Sequence, residues 1–162
     1  MIDRYILLAE DNPNDAELTI AALRESRLVC PIQVVADGAE ALDFLFCRGA
    51  HAGRKGGPPA VILLDLKMPK VNGLEVLQAV KSDPALSVIP VVMLTSSREE
   101  ADLSRSYASG ANAYVVKPVE FDEFLRTVRD LGLFWGRVNE PAPVPGPSAP
   151  APRRSHKETP AT

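Results

Sequence analysis

Five short apolar runs divide the chain, and each is followed by a longer stretch in which apolar residues recur every three or four positions. The runs are Ile6-Leu-Leu-Ala9, Pro31-Ile-Gln-Val-Val35, Ala60-Val-Ile-Leu-Leu64, Val91-Val-Met-Leu94 and Ala113-Tyr-Val-Val116. Runs this short and this rich in Val, Ile and Leu read as strands buried on both faces of a parallel sheet. Helical spacing is kept by Leu18, Ala21, Ala22 and Leu23, by Ala41, Leu42, Leu45 and Phe46, and by Leu74, Val76, Leu77 and Val80. After the last strand Phe121, Phe124, Leu125, Val128 and Leu131 keep it too. Asn14-Asp15 and Asp37 stand where helix caps are expected, and Ser96 with Glu99, or Ser97 with Glu100, offers a capping box for the fourth helix. Gly110 ends that helix, and Asp83-Pro84 stops the third.

Five strand–helix units in series predict an α/β architecture. It is a doubly wound parallel sheet of the flavodoxin-like (βα)5 kind, with strand order 2-1-3-4-5 and helices on both faces. The stretch Arg48 to Pro59 is basic and glycine-rich, and is expected to be a mobile loop before the third strand. After Asn139 the pattern stops. Seven of the fifteen prolines fall in the last 22 residues, so a folded unit over residues 1–138 is expected to be followed by a flexible tail over 139–162.

Composition narrows the class. With 162 residues, 46% hydrophobic and 24% charged, the chain has enough material for one full core. The net charge of -3 and the lack of a basic stripe give no reason to expect nucleic-acid binding. No apolar run is long enough to cross a membrane, and the N-terminus lacks the layout of a signal peptide. Cys30 and Cys47 have no metal-binding spacing and read as reduced thiols of a cytoplasmic protein.

The strand ends carry the chemistry. The first strand runs into Glu10-Asp11, the third into Asp65, the fourth into Thr95 and the fifth into Lys117-Pro118. In an open α/β sheet ligands sit outside the carboxyl ends of the strands, so these groups should converge on one edge. Two carboxylates about 4 Å apart repel by roughly 4 kcal/mol at an effective dielectric near 20, so three of them call for a cation. Magnesium suits hard oxygen donors, with Asp11 and Asp65 as direct ligands and Glu10 reaching through water. Asp65 is the candidate nucleophile, because an aspartate carboxylate can accept a phosphoryl group. Lys117 would supply charge to a phosphoryl oxygen, Thr95 a hydroxyl donor, and the small Ser96 space for the phosphate.

These residues resemble the receiver domain of two-component response regulators over about residues 4 to 132. The matching segments are Glu10-Asp11, Asp65-Leu-Lys-Met-Pro-Lys-Val-Asn-Gly73, Thr95-Ser96 and Lys117-Pro118. The resemblance implies magnesium-dependent transfer of a phosphoryl group from a sensor histidine kinase to Asp65. It also implies that the Lys67 backbone carbonyl is a metal ligand and that the Lys117-Pro118 bond is cis. Tyr114 matches the family's aromatic switch position, which would alter the surface from Glu99 to Leu131; without the family, a fixed core tyrosine is the favoured reading.

Such a chain would be a phosphoacceptor signalling protein rather than an enzyme, assisting its own phosphorylation and dephosphorylation. The lengthened loop at Arg48–Pro59 and the end Leu131-Gly-Leu-Phe-Trp135 look like the single-domain receivers that partner phytochrome kinases. That implies a phytochrome-type kinase, possible traffic with a histidine phosphotransfer protein, and a homodimer through the C-terminal region. Leu133, Phe134 and Trp135 either fold back on their own core or pack across such a dimer. Two other readings compete. An aspartate-nucleophile phosphatase would carry a second acid two residues after Asp65, where Lys67 stands. A phosphorylation-independent adaptor would lack part of the site.

Overall fold

The computed structural model describes residues 4–25 and 30–143. Its strands are β1 (Ile6–Ala9), β2 (Ile32–Val35), β3 (Val61–Leu64), β4 (Val91–Thr95) and β5 (Ala113–Val116), all parallel, in the order β2-β1-β3-β4-β5. The helices are α1 (Pro13–Glu25), α2 (Gly38–Leu45), α3 (Gly73–Ser82), α4 (Glu100–Ala108) and α5 (Phe121–Leu133). The expected fold class and strand order are therefore the observed ones.

Alternation along the strands builds two cores. Leu7, Ala9, Ile62, Leu64, Val91 and Met93 face α2 and α3, meeting Phe44, Leu45, Val76, Leu77 and Val80. Ile6, Leu8, Val61, Leu63, Val92 and Leu94 face α1 and α5, meeting Leu23, Phe124 and Val128. The central strands β1, β3 and β4 are buried along their whole length, which is why they read as unbroken apolar runs.

Local signals resolve unevenly. Asp37 caps α2 by accepting from Glu40 N–H at 2.8 Å, and Asp83 closes α3, as expected. Asn72 forms a full capping box with Glu75 on α3. Two expectations change. At α1 the cap is Asn12, whose Oδ1 accepts from Asn14 and Asp15 N–H, with Pro13 in the first turn where its missing N–H is harmless. At α4 there is no capping box: Glu99 is the cap residue without a side-chain bond, and the Ser97 hydroxyl instead donates to Asp102 Oδ2 at 2.6 Å.

The glycine-rich loop is tied down rather than free. It contains a 3-10 turn at Gly49–His51, and the Arg54 guanidinium stacks 4.2 Å above the Phe44 ring. Arg54 also donates to the Phe44 carbonyl at 2.9 Å and to the Tyr5 hydroxyl at 3.3 Å. At the other end of the chain, α5 passes into a π-helical turn, Phe134–Val138. Trp135 and Leu131 pack against the α1/α5 core, while Phe134 and Val138 stay exposed, with Phe134 edge-on to Trp135. The chain stays on the domain a little past residue 138, since Arg4 donates to the Asn139 carbonyl and pairs with Glu140 at 2.9 Å. The tail beyond residue 143 lies outside the described residues.

Candidate functional site

The site forms because parallel strands end on one edge and each carries its polar residue just past the last apolar position. Glu10 and Asp11 follow β1, Asp65 follows β3, Thr95 closes β4 and Lys117 follows β5. The sheet register places β1 and β3 side by side, with Ala9 opposite Leu64, so Glu10 and Asp65 emerge as neighbours. Carboxylate oxygens of Glu10, Asp11 and Asp65 lie within 4.8 Å of one another.

Lys117 joins the acids from two strands away. Its ammonium lies 2.6 Å from Glu10 Oε2 and 3.2 Å from Asp65 Oδ2. Both partners are well shielded, with 2% side-chain exposure for Glu10 and 12% for Asp65. Burial pushes the Glu10 carboxyl up to about 7, against the lowering pull of the Lys117 bond and charge, with the Asp65 charge adding to the rise. Burial alone would depress Lys117. The bond to Glu10 and the charges of Asp65, Glu10 and Asp15 more than offset that and hold the ammonium well above its ordinary value. The lysine is thus a permanent cation in the site.

Thr95 is buried, and its Oγ1 accepts from Ser97 N–H at 3.2 Å. Ser96 sits exposed on the rim. The Lys67 backbone lies beside the Asp65 carboxylate, with its N–H 3.4 Å from Asp65 Oδ1. Tyr114 is half-buried against the α2/α3 core, and its hydroxyl donates to the Ser97 carbonyl at 3.0 Å. Burial pushes that hydroxyl up, partly offset by the bond to Ser97. The Lys117-Pro118 bond is trans, and no cis peptide occurs among the described residues, which corrects the expected cis geometry.

Two residues of the site escaped the sequence reading. Asp15 Oδ2 lies 3.2 Å from Lys117 Nζ. Its position near the start of α1 suggested only a cap; its place four residues after Asp11, in the first turn of the next helix, was the available signal. Ser97 links Thr95, Tyr114 and Asp102 through the three bonds above, whereas the sequence offered it only as a capping candidate for α4. A cleft of about 1020 Å³ lies at the opposite, amino-terminal edge of the sheet between Tyr5, Phe44, Pro90 and Pro141, and none of these acids lines it.

Residues 6–129 match the family described as the response regulator receiver domain. The probable methanogenesis regulatory protein FilR2 of Methanothrix harundinacea (strain 6Ac) is 39% identical, over 88% of this chain and 88% of that protein. Response regulator Rcp1 of Synechocystis sp. is 36% identical, over 82% of this chain and 88% of that protein. The Mn(2+)-bound form of Rcp1 superposes with a TM-score of 0.81 at 34% identity, over 86% of this chain and 99% of that one. The bacteriophytochrome response regulator AtBRR is 60% identical, with a TM-score of 0.68, over 85% of this chain and 98% of that one.

Proposed function

The chain belongs to the response regulator receiver domains of two-component signalling, and on that footing we propose that it is a phosphoacceptor switch in which Asp65 takes a phosphoryl group from a sensor histidine kinase. The observation that carries this reading is the Lys117 ammonium held between Glu10 and Asp65, next to three carboxylates gathered from two strand ends. Carboxylate oxygens gathered within 4.8 Å of one another suit a shared magnesium ion, a cation that prefers hard oxygen donors. Asp11 and Asp65 would be the direct carboxylates, with Glu10 reaching through water and the Lys67 carbonyl completing the protein ligands. Bound there, magnesium would offset the charge of the acids and of the incoming phosphoryl oxygens.

The chain's own residues do the rest. Asp65 offers a carboxylate oxygen to phosphorus. Lys117 donates to one phosphoryl oxygen and Thr95, once its hydroxyl turns from Ser97, to another. Ser96, small and exposed, leaves room. Because Ser97 bonds both Thr95 and Tyr114, a shift of Thr95 toward the phosphoryl group reaches Tyr114 through a single residue. The α4–β5–α5 face, where Leu103, Tyr107, Val119 and Phe121 are exposed, would then carry the signal to a partner.

AtBRR and Rcp1 are matched along nearly their whole chains, which supports a single-domain regulator acting over residues 1–138, with 139–162 as an appended tail. The 60% identity to a bacteriophytochrome response regulator favours a phytochrome-type kinase as donor. We place that exchange in the cytoplasm and propose a histidine phosphotransfer protein as a further partner. Exposed Phe134 and Val138 beyond α5 support a homodimer through the C-terminal region. Incubation with acetyl phosphate and magnesium tests the core of the proposal. A mass gain of one phosphoryl group that disappears in Asp65→Asn is expected; full labelling of Asp65→Asn would place the acceptor elsewhere. Transfer from a phytochrome-type kinase, in darkness and in red light, tests the partner.

A further inference from the structure

The chemistry above leaves one carboxylate on Lys117 without a task. An ammonium has three N–H donors, and three acids stand around this one: Glu10, Asp15 and Asp65. They differ in exposure, with 2% for the Glu10 side chain, 12% for Asp65 and 39% for Asp15. An exposed carboxylate exchanges its ammonium for water at little cost, whereas a buried one does not. The Asp15 backbone is fixed, its N–H donating to Asn12 Oδ1 at 3.2 Å and its carbonyl accepting from Thr19 Oγ1 at 2.7 Å. The carboxylate can therefore let go of Lys117 without disturbing α1.

We propose that Asp15 is a positioning residue: it holds the third N–H of Lys117 in the unphosphorylated protein, releases it to a phosphoryl oxygen as Asp65 is modified, and so restrains acceptance from anionic phosphoryl donors. The inference rests on the phosphoacceptor reading of Asp65. In the transfer, an Asp65 oxygen bonds to phosphorus while the bond from phosphorus to the donor's leaving group breaks, the leaving group keeping the electron pair. Lys117 keeps all its protons and changes only an acceptor. Asp15 opposes this step twice: it competes for the ammonium, and it adds a fourth negative charge beside Glu10, Asp11 and Asp65. Asp11 lies exposed to solvent and makes no bond to Lys117, so it does not replace Asp15 in this role.

The test is Asp15→Asn, which keeps the shape and the backbone bonds of the first turn while removing the charge. With acetyl phosphate at saturating magnesium and low ionic strength, it should be labelled about three- to tenfold faster than the parent, an order of magnitude set by one screened charge near an anionic donor. The advantage should shrink toward parity near 1 M salt, where the Debye length is about 3 Å. Asp15→Glu, which restores the charge, should return toward the parent rate. A rate for Asp15→Asn at or below the parent's, or a gain unchanged at 1 M salt, overturns the role. Should Asp15→Asn fail to fold, the parent decides alone: its own labelling must accelerate with salt, and a flat profile overturns the role. A parent that takes no phosphoryl group overturns the reading of Asp65 itself.

Discussion

Gly73→Ala should distort the loop that carries Asp65. Gly73 opens α3 with an ordinary backbone conformation, so the need for glycine is one of space. A Cβ there would lie 2.8 Å from Leu66 Cα and 2.9 Å from the Asp65 carbonyl carbon, and nearer still to the Asp65 carbonyl oxygen. Ordinary contact begins at 3.4 Å, so the Leu66 Cα alone must retreat by about 0.6 Å. All three neighbours are backbone atoms, which cannot swing aside as a side chain would. The α3 end is equally constrained, by the Asn72–Glu75 capping box and by Gly73 N–H donating to the Leu66 carbonyl at 2.8 Å.

Alanine gains up to about 1 kcal/mol from helix propensity, an entropic gain that comes from narrowing the freedom of the unfolded chain. Overpacking against backbone costs about 1–3 kcal/mol, and here sits toward the upper end. The net is a loss of about 1–2 kcal/mol, a fall of roughly 3–10 °C in melting temperature for a domain of this size. Function should suffer more, because misplacing a reacting group by about 1 Å can cost on the order of 100-fold. Thermal unfolding and the initial rate of labelling by acetyl phosphate would be measured together. A Gly73→Ala protein that melts at or above the parent temperature and is labelled at the parent rate would refute the close-approach argument.

Other expectations follow from single contacts. Trp135→Ala should destabilise the fold by about 2–3 kcal/mol, a large-to-small loss reduced by partial exposure, whereas Phe134→Ala, at an exposed position, should leave stability within about 0.5 kcal/mol and weaken self-association in sedimentation. A sedimentation change caused by Trp135→Ala alone would reverse those roles. Asp37→Ala removes the α2 cap and should cost about 1 kcal/mol at pH 7 in urea unfolding. The bonds from Glu40 N–H and then Lys70 hold the Asp37 carboxyl below its ordinary value. A depressed carboxylate stabilises above its unfolded value near 3.9 and loses that contribution as pH falls through the folded value, so the gap between Asp37→Ala and the parent should close below about pH 4. A gap of constant size from pH 7 to pH 3 would mean that the carboxylate charge is not what the cap uses.

The strands were readable because burial on both faces demands unbroken apolar runs, and β1 and β5 fall where the runs predict. The capping box of α4 was not realised, because Ser97 spends its hydroxyl on Asp102, a choice made by packing in the turn after β4. The Arg48–Pro59 stretch reads as loose from its glycines, yet Arg54 anchors it on Phe44, a residue ten positions earlier. Composition reports local preference and is blind to such a contact.

By itself the sequence determined the architecture and which polar residues share its functional edge, because unbroken apolar runs and the 3.6-residue periodicity set the elements and strand ends in an open parallel sheet share one edge. Glu10, Asp11, Asp65, Thr95 and Lys117 follow from that rule alone. Only the tertiary structure decided which acids Lys117 engages, that Asp15 joins them, that Ser97 connects Thr95 to Tyr114, and that Trp135 turns inward while Phe134 faces out. Each of these depends on side-chain reach and burial between segments up to about a hundred residues apart, and pattern along the chain carries no information about distance across it.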